Sequence, residues 1–222
     1  MDRKFDLLVF DWDGTLFDST ASIVRSIQAA CRDLGLVEPS ENQASHVIGL
    51  GLSEALRYIA PDLPEEHLPL LVERYRHHYL SSDQDIRLFE GVADMIEELS
   101  VSGYALAVAT GKSRKGLDRA LASSGLGRYF SSSRCADECF SKPHPQMLVE
   151  LMAEYGVEEA RTLMIGDTTH DLQMAINARV NGLGVCYGAH SGESLRSLNP
   201  LGCLESVGEL RQWFARIPGG VL

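Results

Sequence analysis

The sequence predicts an α/β protein: a doubly wound, Rossmann-like parallel sheet with an inserted α-helical cap. Three observations predict it. Apolar runs of strand length recur along the chain, helical patterns separate them, and one long block breaks the alternation because it holds helices alone. Alternating strand and helix specify a layered sheet with right-handed crossovers. A chain of 222 residues can bury a full core as one large domain carrying an insertion, whereas two independent domains would be small.

The first run, Leu7 to Phe10, breaks at Asp11-Trp12-Asp13-Gly14-Thr15. Further runs lie at Tyr104 to Ala109, Thr162 to Ile165 and Leu183 to Tyr187. Continuous apolar runs suit strands buried on both faces of a parallel sheet. Between them, Val92, Met95, Ile96 and Leu99 form a helical stripe closed by Gly103, and Leu117, Ala120 and Leu121 form another closed by Gly125. Met147, Leu148, Leu151, Met152 and Tyr155 make a third stripe ending at Gly156, and Leu172, Ala175, Ile176 and Arg179 run toward Gly182. From Ser19 to Leu88 the pattern is helical only. Ser19 or Thr20 caps a helix through Ile23, Ile27, Ala30 and Leu34 to Gly35, Ser53 opens another, and Pro64-Glu65-Glu66 begins a longer one through Tyr79. A helical block that emerges directly after the Asp-rich turn would sit over it, excluding water and reading the substrate. The expected division is a core of residues 1–18 and 89–222 with a cap of residues 19–88, and the plainer alternative is a bundle packed on one sheet edge. The last residues, Ile217 to Leu222, are expected to be loosely held.

Hydrophobic content of 45% and charged content of 23% fit a folded globular protein. A formal charge of −11 argues against capture of nucleic acid or anionic membrane. No run approaches the roughly 20 apolar residues that span a bilayer. Asp6, Asp11 and Asp13 interrupt the apolar stretch after Arg3 and Lys4, which argues against a secretion signal. Five scattered cysteines without a C-x-x-C pair read as free thiols in a reducing compartment, so the expected location is cytoplasmic. Cys135 and Cys139 are four apart but have no second ligand pair, and read as structural. No pattern marks an oligomeric state.

Asp11 and Asp13 would point to opposite faces if the strand continued. Gly14 marks a turn instead, and a turn lets both carboxyl groups converge above the carboxyl end of the sheet, where open α/β folds bind ligands. Three more signals follow at strand ends or helix starts: Val108-Ala109-Thr110-Gly111-Lys112, Ser141-Lys142-Pro143-His144-Pro145 and Met164-Ile165-Gly166-Asp167-Thr168-Thr169-His170-Asp171. Together the four motifs resemble the haloacid dehalogenase superfamily across essentially the whole chain, and within it the phosphoglycolate phosphatase-like hydrolases. The block 19–88 resembles that family's helical cap.

The resemblance implies a Mg2+-dependent phosphoric monoester hydrolase acting on a small phosphorylated metabolite, and the residue types support that chemistry. A carboxylate at Asp11 can attack phosphorus, but two anions repel, so the site must supply positive charge. Mg2+ is a hard cation that takes carboxylate and carbonyl oxygens. The resemblance assigns it to Asp11, Asp167 and the backbone carbonyl of Asp13. Asp171 would orient bound water or support these ligands, or serve only as a favourable acid in a first helical turn. Asp13 would protonate the departing alcohol and then activate water. The dehalogenase branch keeps no Asp at that position, so Asp13 favours phosphate ester hydrolysis. Thr110, Gly14 and the amides around Gly111 would hold phosphoryl oxygens, together with Lys112, and Lys142 supplies a point charge. In the cap, Gly49 and Gly51 of the segment His46 to Leu52 sit where related proteins carry a substrate-contacting loop. His144 reads as structural, Arg57 as an exposed helical residue, and His77-His78 as solvated. Phosphoglycolate is the first expectation for the substrate. Sugar phosphates, nucleoside monophosphates and pyrophosphate fit the same chemistry, because core motifs do not set the leaving group. Thr15 disfavours a phosphomutase. A non-catalytic member that binds phosphorylated ligands or a partner is the alternative of another class, and intact Asp11, Asp13, Lys142 and Asp167 weigh against it.

Overall fold

A computed structural model describes residues 3–82 and 86–217. The expectation for the tail therefore falls, from residue 218 onward, outside the described residues. Six parallel strands form one sheet in the order β3-β2-β1-β4-β5-β6: β1 (Leu7–Phe10), β2 (Ala105–Thr110), β3 (Ser132–Cys135), β4 (Thr162–Gly166), β5 (Asn181–Val185) and β6 (Cys203–Leu204). This is the expected doubly wound α/β sheet. β1 lies between β2 and β4, with Phe10 opposite Val108 on one side and Ile165 on the other. The winding reverses there, which opens a crevice at the carboxyl ends of these strands.

Strand residues alternate between two cores. Leu8, Phe10, Leu106, Val108, Leu163 and Ile165 pack with α5 (Val92–Val101), α6 (Arg114–Ser124) and α10 (Val207–Arg216). Leu7, Val9, Ala107, Ala109 and Met164 pack with α7 (Gln146–Tyr155) and α8 (Thr169–Asn177). All four residues of β1 are fully buried, which is why they read as an unbroken apolar run. Each such Leu, Val or Phe contributes about 1.5–3 kcal/mol by leaving water.

Between β1 and α5 lie α1 (Thr20–Asp33), α2 (Glu41–His46), α3 (Leu52–Ile59) and α4 (Leu68–Ser82), with α1 packed on α4 and α2, and α3 on α4. Several expectations shift here. Ser19 precedes α1, but its side chain makes no cap bond; its hydroxyl is drawn to Asp13 instead. Helix α2 was not expected, although Ser40 and Gln43 form a complete capping box at its start. Gly51, not Ser53, occupies the cap position of α3. Glu65–His67 form a 3-10 turn before α4. His78 is not simply solvated: its Nε2 lies 2.8 Å from Asp33 Oδ2, where Arg74 also binds, joining α4 to the end of α1.

In the core, α8 ends at Asn177, and Arg179 turns the chain with φ +59°, so Gly182 belongs to β5 rather than to a helix end. Ile176 and Arg179 are exposed, while Met174 and Ala178 complete the buried stripe with Leu172 and Ala175. β5 starts and ends two residues earlier than the Leu183 to Tyr187 run. Strands β3 and β6 were not expected. Both are edges, where short polar strands are common. No helix among the described residues is long and apolar enough to cross a membrane.

Candidate active site

The site is built at the ends of β1, β2 and β4. Asp11 continues the pairing of β1, its N–H donating to Ile165 O at 2.9 Å. The chain then turns sharply, with Leu16 and Phe17 N–H both donating to Trp12 O at 3.0 Å. Gly14 holds φ +79°, and a Cβ there would overlap the Asp167 carboxylate. Asp167 leaves the end of β4; its Oδ1 accepts from Thr15 Oγ1 at 2.8 Å and its Oδ2 from Ala189 N–H at 2.7 Å. Asp171 sits in the first turn of α8, where its Oδ2 accepts from Thr168 Oγ1 at 2.7 Å and N–H at 3.1 Å. Lys142 lies in the loop before α7, next to a cis bond to Pro143. Its Nζ is 2.8 Å from Asp11 Oδ1 and 2.6 Å from Asp171 Oδ1, as ion pairs rather than aligned hydrogen bonds.

Asp11, Asp167 and Asp171 are all fully buried and each offers an oxygen within 4.8 Å of the others. At an effective dielectric of about 20, each such pair would repel by about 3.5 kcal/mol or more with both groups ionised. Among the described residues, Lys142 is the one cation paired with this cluster. Burial raises the Asp11 carboxyl well above the usual carboxylate range, opposed by Lys142 and reinforced by Asp171 and Asp167. Burial, with Asp171 beside it, pushes Asp167 up to about 7. Burial works against the charge on Lys142, but Asp11 and Asp171 outweigh it and hold the ammonium above its ordinary value. Asp11 Oδ2 has no hydrogen-bond partner despite being buried. An orphaned anionic oxygen beside two more buried carboxylates fits a hard divalent cation, which would supply the missing charge and take oxygen donors.

Asp13 stands apart from that cluster. Its Oδ1 accepts from Ser19 Oγ at 2.6 Å, and its Oδ2 lies 2.9 Å from Lys112 Nζ. Lys112, expected among the phosphate contacts, thus directs its ammonium to Asp13 and to Tyr79 OH, 3.0 Å away on α4. Thr110 is buried at the end of β2, and its Oγ1 accepts from Lys112 N–H at 3.2 Å.

Three glycines mark where the helical block meets the sheet. A Cβ at Gly111 would overlap the carbonyls of Gly49 and Leu50, so the backbones touch there. Gly51 N–H donates to Ser141 Oγ at 2.8 Å, and Gly49 holds φ +93° beside Thr168. His46 ends α2, and its carbonyl oxygen lies 2.8 Å from His170 Nε2 and 3.2 Å from His190 Nε2. Between the two layers lies a cavity of about 640 Å³, with Asp11, Asp13, Thr110 and Lys112 on one side and Ile23, Ile27, Val47, Tyr75 and Leu80 among the residues opposite.

Other expected residues lie elsewhere. Arg57 is exposed and engaged with Glu65, Nη2 to Oε1 at 2.7 Å. His144 Nδ1 accepts from Gln146 N–H at 3.2 Å. Cys135 is buried at the end of β3, and Cys139 Sγ lies 3.7 Å from Glu150; neither joins a metal-binding cluster among the described residues. Sequence reasoning missed Ser19, Tyr79 and the turn Tyr187 to His190. Ser19 closes the Asp-rich run and was visible there as a hydroxyl; Tyr79 had no local signal.

The sequence profile of the haloacid dehalogenase-like hydrolases matches residues 8–185. The chain is 34% identical over 210 residues to the Dickeya dadantii protein named "Probable phosphatase IndB", covering 92% of this chain and 91% of that one. It is 31% identical over 188 residues to the phosphoglycolate phosphatase of Agrobacterium fabrum, covering 82% and 81%. The crystal structure of a predicted phosphoglycolate phosphatase from Haemophilus somnus superposes with a TM-score of 0.83 at 26% identity, covering 95% of this chain and 98% of that one. With the profile spanning most of the sheet and all four motifs, the chain belongs to the haloacid dehalogenase-like hydrolases.

Proposed function

We propose that the protein is a Mg2+-dependent phosphatase that hydrolyses a small phosphate monoester through an aspartyl phosphate on Asp11. The observation that carries this reading is the separation of two kinds of carboxylate. Asp11, with a free buried oxygen, is held by Lys142 within an acid cluster, while Asp13 faces the same cavity from outside that cluster. Asp11 and Asp167 would hold the metal together with the backbone carbonyl of Asp13. Asp171 is engaged with Lys142 and Thr168, which suits a supporting role. When bound, Mg2+ supplies the positive charge that lets a carboxylate approach a phosphate dianion.

In the first step a carboxylate oxygen of Asp11 forms a bond to phosphorus, the phosphorus–oxygen bond to the alcohol breaks, and Asp13 gives the departing oxygen a proton. In the second, Asp13 takes a proton from water as that water's oxygen attacks phosphorus, which frees phosphate and restores Asp11. Lys142 stabilises Asp11 as an anion between turnovers and faces the charge that grows during transfer. The helical block 19–88 acts as a cap that excludes water through the contact of Gly49 and Leu50 with Gly111.

The relatives named phosphoglycolate phosphatase favour phosphoglycolate as substrate. The cavity of about 640 Å³ favours a second reading, because such a volume is of the size that holds a drug-sized ligand and exceeds a two-carbon acid. A nucleoside monophosphate or a sugar phosphate would fill it better, and pyrophosphate worse. The five free cysteines support a cytoplasmic location. Phosphate release from a panel of phosphoglycolate, sugar phosphates, nucleoside monophosphates and pyrophosphate tests the reading. Turnover is expected to require Mg2+ and to fall about 10³-fold or more in Asp11→Asn. Turnover that survives either loss overturns the mechanism, and a folded protein inert to the whole panel favours the ligand-binding alternative.

A further inference from the structure

We infer that Lys112 and Tyr79 are positioning residues that keep the Asp13 side chain aimed for the water-activation step when the cap rests on the core. The inference rests on the reading of Asp13 as the proton-transfer group. The Lys112 backbone is fixed to the core on both sides, its N–H donating to Thr110 Oγ1 at 3.2 Å and its carbonyl accepting from Ala136 N–H at 3.1 Å. Its side chain bridges the two layers. The ammonium lies 2.9 Å from Asp13 Oδ2 in the core and donates to Tyr79 OH, 3.0 Å away on α4, and it sits 4.9 Å from the centre of the Tyr79 ring. Tyr79 is itself fixed by stacking on Tyr75, with ring centres 5.8 Å apart and planes at 17°.

The other oxygen of Asp13 accepts from Ser19, the residue at which the chain enters α1. Both oxygens of Asp13 are therefore engaged at the boundary between the layers, Oδ1 by the Ser19 hydroxyl and Oδ2 by its ion pair with Lys112. Contacts at both oxygens fix the direction of the side chain, and a proton-transfer group must lie within hydrogen-bond reach of the water it serves. Tyr79 is the member of this chain of contacts that the cap supplies. Its hydroxyl and ring keep the Lys112 side chain on Asp13, so the placement of α4 is transmitted to the proton-transfer group.

Pre-steady-state kinetics with p-nitrophenyl phosphate and Mg2+ test this, because that leaving group departs without a proton and isolates the second step. In Tyr79→Phe, which keeps the ring, the initial burst of nitrophenolate should stay at one equivalent per site while the steady rate falls about 10-fold, the loss of one hydrogen bond to a charged group. In Lys112→Met the steady rate should fall about 10²-fold, with radiolabelled phosphoenzyme accumulating. A merely structural role would lower the burst and the steady rate together, and that result, or unchanged steady rates in both variants, overturns the inference. A wild-type protein that forms no phosphoenzyme, or turns over fully as Asp11→Asn, overturns the proposed function and this inference with it.

Discussion

Gly188 carries no motif, yet it shapes the acid cluster as firmly as Gly14. A Cβ at either position would overlap the carboxylate of Asp167, and one at Gly166 would overlap Asp171. Gly188→Ala is therefore expected to displace Asp167 or the turn that feeds it the Ala189 N–H, at a cost of about 1–3 kcal/mol in stability. Misplacing a reacting constellation by an ångström costs about 10²-fold in rate, so phosphate release should fall by that order. Gly35→Ala is the matched control: it meets open space at φ +65°, and should lose about 1 kcal/mol in thermal unfolding with no change in kcat. The residues legible in the sequence were those at the ends of apolar runs. Asp11 and Asp167 stand at the ends of such runs, whereas Lys142 was singled out by the resemblance of its motif to the family's. Tyr79 and Gly188 were not legible, because each acts on a neighbour brought close by the fold, and Ser19, visible as a hydroxyl, read as a helix cap rather than as a partner of Asp13.

Elements were legible in proportion to their burial. β1, β2 and β4 are buried on both faces and show as continuous apolar runs, whereas β3 reads Ser-Ser-Arg-Cys because it closes one edge of the sheet. Its Arg134 pairs with Glu150 and Glu154 of α7, at 2.7 and 2.9 Å, so the outward side chains are chosen for charge. The amino ends of the central strands carry a comparable tie. The Asp6 N–H donates to Arg161 O and its carbonyl accepts from Ala105 N–H, and its carboxylate pairs with the Arg161 guanidinium, Nη2 to Oδ1 at 2.7 Å. Hydrogen bonding from Arg161 holds the Asp6 carboxyl below its usual value, against a small penalty from burial. A carboxyl lowered in the fold stabilises it above the unfolded pKa near 3.8, and that contribution disappears as pH falls through the lower folded value. The pair is more than a third exposed, so screening limits it to about 0.5–1 kcal/mol. Asp6→Asn should lower unfolding stability by that amount at pH 7, and urea titrations of the two proteins should converge once the pH falls below the lowered value of the folded state. A gap that persists there would assign the effect to the backbone pairing instead.

At the scale of the whole molecule, the fold accepts a local cost where the two layers meet. A chain of net charge −11 buries three carboxylates against one lysine, and the Asp11 carboxyl is raised because the folded state disfavours its charge. A neutral isostere should relieve that cost. Asp11→Asn is thus expected to unfold, in chelator, at a temperature equal to or above that of the parent protein, although it removes one ion pair of Lys142. The second partner, Asp171, still compensates the ammonium. Magnesium should reverse the order. A ligand that binds only the folded state at 100 times its Kd adds about 2.7 kcal/mol, which in a chain of this length raises Tm by about 5–10 °C. The parent protein should show that rise and Asp11→Asn most of its loss. Equal Mg2+ shifts in both proteins would place the ion away from Asp11. A lower Tm of Asp11→Asn in chelator would mean that the Lys142 pair outweighs the repulsion among the buried acids.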